Sequence, residues 1–207
     1  MAAHIPFLTA RWSNLALLTY AVPAQVLEPA LPPGCRLDER EGRAFVSLVA
    51  FDFLDTRVLG IPWPGFRDFP EINLRFYVRR GKDRGVCFIR EFVPRRFMAW
   101  VARTLYNEPY LGAPMSSRTE EGPAEITVRH TLRFGGREHT LRVTGQKPPV
   151  HPSEGSVEHF FKEHQWGFGR TRGGRLIRYE VASSGLGHPP RALGGPGLGL
   201  GARLWPP

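Results

Sequence analysis

The sequence predicts a mainly β fold of the α+β class, a curved antiparallel sheet or barrel that carries a few helices. Segments that alternate apolar and polar residues with a period of two far outnumber segments with a helical period. Turn residues join these segments into hairpins, most clearly where Gly135-Gly136 separates two alternating runs. A content of 42% hydrophobic and 12% aromatic residues in 207 residues is enough for one sizeable core.

The first part of the chain predicts two strands around a short helix. ALLTYAV, at 16–22, has the residues of a strand, and Pro23 is suited to open the helix AQVLEPA. The LPPG turn at 31–34 ends that helix. RAFVSLVAFDFLDTRVLG, at 43–60, is apolar on both alternating faces at its centre, so it is predicted as a long interior strand.

A hairpin and a helix follow. EINLRFYVRR, at 71–80, alternates cleanly, GKDRG forms the turn, and VCFIREF, at 86–92, is the returning strand. Pro94 is suited to start a helix through RRFMAWVARTLYN, at 95–107, whose apolar residues recur with a period of 3.6. Pro109 ends this helix.

The clearest hairpin consists of EITVRHTLRF and REHTLRVTG on either side of Gly135-Gly136. A two-residue turn fixes the register of the two strands. The cross-strand pairs that it predicts are Phe134 with Arg137, Leu132 with His139, His130 with Leu141, and Arg129 with Arg142.

The last part of the chain predicts a loop, a helix, a strand and a tail. KPPVHPSEG is the loop, and EHFFKEHQWGFGR, at 158–170, is predicted as a helix that Ser156 caps. GRLIRYEV, at 174–181, is the final strand of a single domain at 1–181. Residues 182–207 are so rich in Gly and Pro that they are predicted as a disordered tail.

The net charge of +9 and the pI near 10.4 would by themselves favour an acidic partner. The arginines are nevertheless spread along the chain and cluster only in pairs, while the lysines are just Lys82, Lys147 and Lys162. We interpret this excess of arginine as coding bias, and the sequence does not favour a nucleic-acid partner.

Cysteine content and hydropathy indicate the compartment. Cys35 and Cys87 are the two cysteines, so neither a disulfide framework nor zinc-type spacing is predicted. The N-terminus lacks the order of a signal peptide, and the longest apolar stretch, at 44–51, is far shorter than the roughly 20 residues of a membrane span. We expect a soluble, cytoplasmic protein.

The histidines do not predict a metal site. On a helix, His159 and His164 would point about 140° apart, and His159 is predicted to belong to a short packing helix. His164 stands beside Trp-Gly, where it either caps the last carbonyls or faces a cavity, and both alternatives stay open. His130 and His139 are diagonal neighbours on the hairpin, and buried, hydrogen-bonded histidines are favoured over metal ligands.

A polar row on the strand at 71–80 is the strongest candidate site. Glu71, Asn73, Arg75 and Tyr77 share one face, and Glu91 on the returning strand would join them. If both faces of this hairpin are covered, these charges must pair or serve a ligand. A solvated outer face is the alternative, and the sequence leaves both open.

Six motifs in this order and spacing resemble a known family: FLTARWSNLALLTYAVP, EGRAFVSLVAFDFLDTRVLG, EINLRFYVRR, GVCFIREFVPR, LYNEPY and EHFFKEHQWGFGR. From about Pro6 to Val181 the chain resembles the domain-of-unknown-function family 2071, the YqjF-like bacterial proteins. This family is considered a distant relative of acetoacetate decarboxylase. The resemblance implies a closed, cone-like antiparallel β-barrel of acetoacetate-decarboxylase type, with a few flanking helices and a ligand cavity inside.

The resemblance also bears on the chemistry. The decarboxylase forms a Schiff base on a lysine in an aromatic-Pro-Lys context, and the similar place in this chain is LGAPMSSR. Here Pro114 is followed by Met115, whose thioether cannot form an imine, and none of the three lysines is placed to replace it. The decarboxylase also has a glutamate on a cavity strand, and Glu71 falls where it would.

We therefore expect a cavity that binds a small, anionic organic molecule without a metal or other cofactor. Arg75 would hold a carboxylate, and Glu71 and Tyr106 would act as acid/base groups. The other residues expected to bind or shape the ligand are Asn73, Tyr77, Glu91, Asn107, Met115, His164 and Trp166. The enzymatic version is a lyase or isomerase without a Schiff-base lysine. Relatives of the fold are often oligomeric, which leaves a homo-oligomer open.

Two rival hypotheses come from other classes. The first is a non-catalytic binding or interaction protein that has kept the barrel and lost the chemistry. The second is a basic surface module that uses the arginines of RRFMAWVAR against an anionic membrane or nucleic acid, and it predicts association that weakens steeply with salt.

Overall fold

The structure, a computed structural model, describes residues 8–62, 64–106, 109–148, 152–162, 164–183 and 198–201. Its helices are α1 (Ala24–Leu27), α2 (Arg96–Tyr106) and α3 (Val157–Lys162), with a 3-10 turn at Glu28–Ala30. Its strands are β1 (Leu8–Val22), β2 (Arg36–Leu37), β3 (Ala44–Val58), β4 (Phe69–Arg80), β5 (Asp83–Val93), β6 (Tyr110–Gly112), β7 (Met115–Glu121), β8 (Glu125–Phe134), β9 (Arg137–Gln146), β10 (Trp166–Arg170), β11 (Leu176–Ser183) and β12 (Leu198–Gly201). The predicted mainly β fold with a few helices is confirmed.

Nine strands form one large sheet in the order β2-β4-β3-β1-β12-β11-β10-β5-β6, and β4 also pairs with β5. Because β4 and β5 stand far apart in that order, the sheet must curve strongly to bring them together. The expected closed barrel is not confirmed: the sheet keeps β2 and β6 as end strands. It is also joined sparsely on one side, where β10 meets β5 only at Trp166–Gly85 and Gly167–Val86.

The strands β7, β8 and β9 form a second, antiparallel sheet. Gly135 and Gly136 take the positive φ angles, 60° and 76°, that a tight two-residue hairpin turn requires. The observed pairs include Phe134 with Arg137, Leu132 with His139, His130 with Leu141, and Arg129 with Arg142. The predicted register of this hairpin is therefore confirmed.

Strand β4 is covered on both faces, because its alternating side chains enter two different packed layers. We call one face the inner face; it carries Glu71, Asn73, Arg75 and Tyr77. The opposite, outer face carries Ile72, Phe76 and Val78. The outer face lies against the second sheet at one end and against α1 and β10 at the other, and this packing forms much of the apolar core.

Helix α3 covers one end of the inner face. Its Phe160 and Phe161 pack with Tyr77 of β4 and Val86 of β5. The helix begins where predicted, because the backbone N–H of His159 donates to Ser156 Oγ at 3.1 Å and so caps the first turn.

The structure differs from the prediction after α3. A helix is expected over 158–170, but Trp166–Arg170 is strand β10, which pairs with β11. Gly167 and Gly169 disfavour a helix at this position, and Gly167 also lets β11 approach closely, since a Cβ there would lie 2.0 Å from the Tyr179 ring. Strands β6 and β7 were not predicted either, since neither shows a clean alternation.

The predicted tail at 182–207 is described only in part. Its first two residues extend β11, and Leu198–Gly201 is strand β12, which pairs with β1 and β11. The other residues of the predicted tail lie outside the described ranges.

Candidate functional site

The candidate site is a set of buried polar side chains on the inner face of β4 and β5. Glu71, Asn73 and Glu91 are each no more than 3% exposed. Asn73 is the cross-strand partner of Glu91, and Glu71 lies two residues before Asn73 on the same face. Two carboxyl groups are therefore buried side by side.

Side-chain hydrogen bonds organise this group. Asn73 Nδ2 donates to Glu71 Oε1 at 3.0 Å, and the Tyr110 hydroxyl donates to Glu71 Oε2 at 3.4 Å. Tyr110 reaches the site because β6 adds to β5 in parallel and places Tyr110 opposite Glu91.

Burial dominates the electrostatics of the group. It raises the pKa of Glu71 to about 7, although Asn73, Tyr110 and the Arg75 charge lower that pKa in part. The pKa of Tyr110 is raised by burial first and then by the charges of Glu71 and Glu91. A carboxyl group with a pKa near 7 can both accept and return a proton at neutral pH, which suits it to acid/base chemistry.

Arg75 brings a positive charge to the inner face. Its Nε is buried and has no hydrogen-bond partner, and Arg75 forms no ion pair within the described part of the chain. The guanidinium Cζ lies 5.9 Å from the centre of the Tyr77 ring. Asn73 Oδ1 is a second buried polar atom without a partner among the described residues. Leaving such an atom unpaired costs about 1–3 kcal/mol, so this face favours a polar ligand that forms hydrogen bonds with both Arg75 Nε and Asn73 Oδ1.

A second polar group lies at the other end of the inner face. His164 Nε2 donates to Asp38 Oδ2 at 3.0 Å, and Arg84 Nε donates to the same oxygen at 2.7 Å. The His164 ring lies 4.7 Å from the Tyr77 ring, centre to centre. Tyr77 in turn shares a hydrogen bond of 2.5 Å with Ser47 Oγ.

The structure brings together most of the predicted polar row. Glu71, Asn73, Arg75, Tyr77 and Glu91 all lie on the inner face, which is the enclosed alternative of the two that the sequence left open. His164 reaches the same face, where its side chain is 1% exposed. It follows α3, but its imidazole binds Asp38 and does not cap the helix carbonyls.

Two other predicted residues are not brought to this face. Met115 packs with Ile72 on the outer face of β4, beside the second sheet. Trp166 packs against the apolar cluster around Phe76, on the outer face of β4. The Arg178 guanidinium lies 3.6 Å from the centre of the Trp166 ring. Successive side chains of β4 point to opposite faces, so residues that pack against its outer face lie on the other side of the strand from Glu71.

Three residues of the site, Tyr110, Asp38 and Arg84, were not among the predicted site residues. Tyr106 was predicted as an acid/base group; its backbone ends α2, while its side chain and Asn107 lie outside the described part of the structure. Tyr110, four residues later, supplies the hydroxyl that reaches Glu71. Asp38 and Arg84 gave no local signal.

The described residues contain no group of three or more His, Cys, Asp or Glu side chains that could hold a metal ion. His130 is fully buried, with Nε2 at 3.3 Å from the Asn14 carbonyl, whereas His139 is exposed. No helix in the described ranges has the length and apolar character needed to cross a bilayer.

Comparison with known sequences identifies relatives. The model of the family DUF2071, described as an uncharacterized conserved protein, matches residues 9–189. The uncharacterized protein YqjF of Bacillus subtilis (strain 168) is 32% identical over 107 residues, which are 51% of this chain. That match covers 44% of YqjF, so this chain aligns with less than half the length of the curated relative.

Comparison with solved structures identifies a shared fold. Acetoacetate decarboxylase from Legionella pneumophila matches with a TM-score of 0.62 at 17% identity, over 94% of this chain and 73% of that one. The enduracididine biosynthesis enzyme MppR complexed with pyruvate matches with a TM-score of 0.62 at 15% identity, over 99% and 91%. An acetoacetate decarboxylase-like enzyme from Sphingomonas wittichii RW1 matches with a TM-score of 0.55 at 13% identity, over 84% and 71%. At such low identities the likeness shows the fold alone.

Proposed function

The chain belongs to the DUF2071 family, and from this premise we propose that its inner face binds a small organic anion and transfers a proton to or from it. One observation carries the proposal. Glu71, a buried carboxyl group with a pKa of about 7, shares the inner face of β4 with Arg75, which forms no ion pair within the described ranges. A perturbed acid beside an unpaired cation is typical of sites that act on anionic ligands.

The residues then take distinct roles. Arg75 binds the carboxylate of the ligand through its planar guanidinium. Glu71 is the acid/base group, and Tyr110 and Asn73 hold its carboxyl group in place. MppR, which shares the fold, is described as complexed with pyruvate, a short carboxylic acid, and this supports a carboxylate as the ligand class.

The chemistry we propose needs no Schiff base. Met115, at the place where the resemblance puts the lysine, packs in an apolar cluster. Lys82 lies in the exposed turn after β4, and Lys147 pairs with Glu121. In an isomerase, Glu71 would remove a proton next to the ligand carbonyl and return it to a different atom of the enolate that forms. In a lyase, Glu71 would instead give this proton to the leaving group as the bond between that group and the ligand breaks.

A non-catalytic binding protein is the second candidate. It is favoured by the packing of Phe160 and Phe161 of α3 against Tyr77, which fills one end of the inner face. This candidate predicts the same ligand and the same dependence on Arg75. It differs in predicting no turnover of any acid that binds.

A thermal-shift screen with short keto, hydroxy and unsaturated carboxylic acids tests the proposal. A ligand at about 100 times its Kd stabilises the protein by about 2.7 kcal/mol, which raises Tm by roughly 5–10 °C for a chain of this size. We expect Arg75→Ala to abolish this shift, because the variant removes the cation that holds the carboxylate.

Arg129→Ala is the matched control, since it removes the same charge from an exposed position on β8. It should leave the shift unchanged. If no acid raises Tm, or if both variants respond like the wild type, the proposed anion site is wrong. Incubation of the stabilising acids with the protein, followed by product analysis, separates the enzyme from the binding protein.

A cytoplasmic location and a homo-oligomeric state stay predictions from the sequence and the resemblance.

A further inference from the structure

Asp38, Arg84 and His164 form a buried group that the proposed roles leave unused. Asp38 follows β2, Arg84 lies on β5, and His164 lies between α3 and β10. The side chains of Asp38 and His164 are 4% and 1% exposed. The backbone N–H of Asp38 also donates to the Tyr77 carbonyl at 3.0 Å, which ties the group to β4.

The hydrogen bonds fix which imidazole nitrogen carries the proton. The pKa of Asp38 lies below its usual range because hydrogen bonds from His164 and Arg84 outweigh the effect of burial, so its carboxylate only accepts. His164 Nε2 must therefore be the donor. The pKa of His164 is lowered, chiefly by burial and also by the charges of Arg84 and Arg75, although Asp38 opposes this. The ring is therefore neutral at neutral pH, and Nδ1 is an acceptor.

That acceptor has no partner in the described part of the chain. His164 Nδ1 is buried and makes no hydrogen bond within the described structure. The imidazole lies 4.7 Å from the Tyr77 ring, and the Arg75 guanidinium lies 5.9 Å from the same ring. An acceptor and a cation that are both unpaired within the described ranges thus neighbour one aromatic side chain on the inner face.

We propose that His164 Nδ1 accepts a hydrogen bond from the hydroxyl group of a hydroxy acid whose carboxylate binds Arg75, and that Asp38 is the positioning residue that keeps Nδ1 free to accept. This rests on the proposed anion site and goes beyond it by naming the second polar group of the ligand. A ligand with a hydroxyl donor satisfies the buried acceptor, whereas its deoxy analogue leaves it unpaired.

The first test reads the proton position without any ligand. The 15N chemical shifts of the histidine rings distinguish a protonated Nε2 from a protonated Nδ1, and the signals of His164 are assigned by their absence in His164→Gln. We expect the wild-type ring to be neutral at pH 7 with the proton on Nε2, and Asp38→Asn to yield a mixture of both tautomers. A ring protonated on Nδ1, or on both nitrogens, overturns the proposal whatever the protein binds.

The second test measures the Kd of hydroxy acids and of their deoxy analogues. We expect the wild type to bind the hydroxy acid about fivefold to tenfold more tightly, the amount that one neutral hydrogen bond provides. His164→Gln can keep the bond to Asp38 but offers no acceptor at Nδ1, so it should bind both acids equally. His164→Asn offers an oxygen near Nδ1 and should keep part of the preference. His139→Gln, on the exposed hairpin, is the control.

The outcomes separate this inference from the proposed function. If acids bind through Arg75 but the hydroxyl group makes no difference in wild type, the anion site stands and the role of His164 is wrong. An equal preference for the hydroxy acid in wild type and His164→Gln overturns it too, and shows that another group reads the hydroxyl. If no acid binds, the anion site and this inference fail together. Loss of the preference in His164→Gln alone supports both.

Discussion

Glu71→Gln is expected to remove a pH dependence of stability. Between pH 4.5 and pH 8, deprotonation of Glu71 lowers the free energy of unfolding of the wild type by about 3 kcal/mol, and the variant should not show this loss. Burial raises the pKa of Glu71 from 4.5 in the unfolded chain to about 7 in the folded protein. The folded state therefore binds more protons in this range, and the stability contributed by protonated Glu71 is fully present below pH 4.5. It is lost as pH rises through about 7. The amide side chain of the variant has no proton to lose in this range.

Urea unfolding of both proteins from pH 4 to pH 8 measures the effect. His164 acts in the opposite direction, because its lowered pKa reduces stability as pH falls below 6.5, so the difference between variant and wild type is the quantity to follow. That difference should grow by about 3 kcal/mol across the range. Glu125→Gln, at an exposed position, is the control and should give a flat difference. A flat difference for Glu71→Gln would show that the carboxyl group is not held in a buried, protonated form.

Gly85→Ala is expected to destabilise the protein by about 3 kcal/mol. A Cβ at Gly85 would lie 2.3 Å from the Trp166 carbonyl oxygen and 2.7 Å from the Phe168 ring. The backbone carbonyl belongs to β10, so it cannot swing away like the end of a flexible side chain. Relief of the clash must separate β5 from β10 at one of the two residue pairs that join them.

Gly145→Ala provides the matched comparison. It makes the same change within strand β9, but its Cβ would meet only Ile126 Cγ2 at an ordinary 3.8 Å. Chemical denaturation should show a change within about 1 kcal/mol for Gly145→Ala, because the loss of chain entropy in the unfolded state then acts alone. Equal effects at Gly85 and Gly145 would contradict the tight approach of β10 to β5.

The sequence predicted those parts of the fold that depend on neighbours along the chain. The register of β8 and β9 followed from the two glycines between them, because a two-residue turn admits one pairing. The inner row from Glu71 to Tyr77 followed from the period of a strand. Its enclosure did not, because the cover over Tyr77 comes from Phe160 and Phe161, more than eighty residues away in the sequence.

The second polar group shows why the rest could not be predicted. Asp38 is separated from Arg84 by 46 residues and from His164 by 126 residues, so only the assembled sheet brings them together. Tyr106 and Tyr110 show a different limit: both belong to the same LYNEPY segment, and the choice between them depends on which one lies on a strand. The glutamate could be predicted because alternation decides its face; its tyrosine partner could not.

The sparse joint between β5 and β10 also bears on how the covered inner face exchanges with solvent. Strand β10 is paired with β11 along its whole length but with β5 at only two positions. Local openings follow the boundaries with the fewest bonds, so β10 and β11 are expected to move away from β5 as one unit at a lower free energy than global unfolding. Native-state amide hydrogen exchange should therefore report faster exchange at this joint than between β3 and β4, and ligands would reach the buried carboxyl groups through a transient opening.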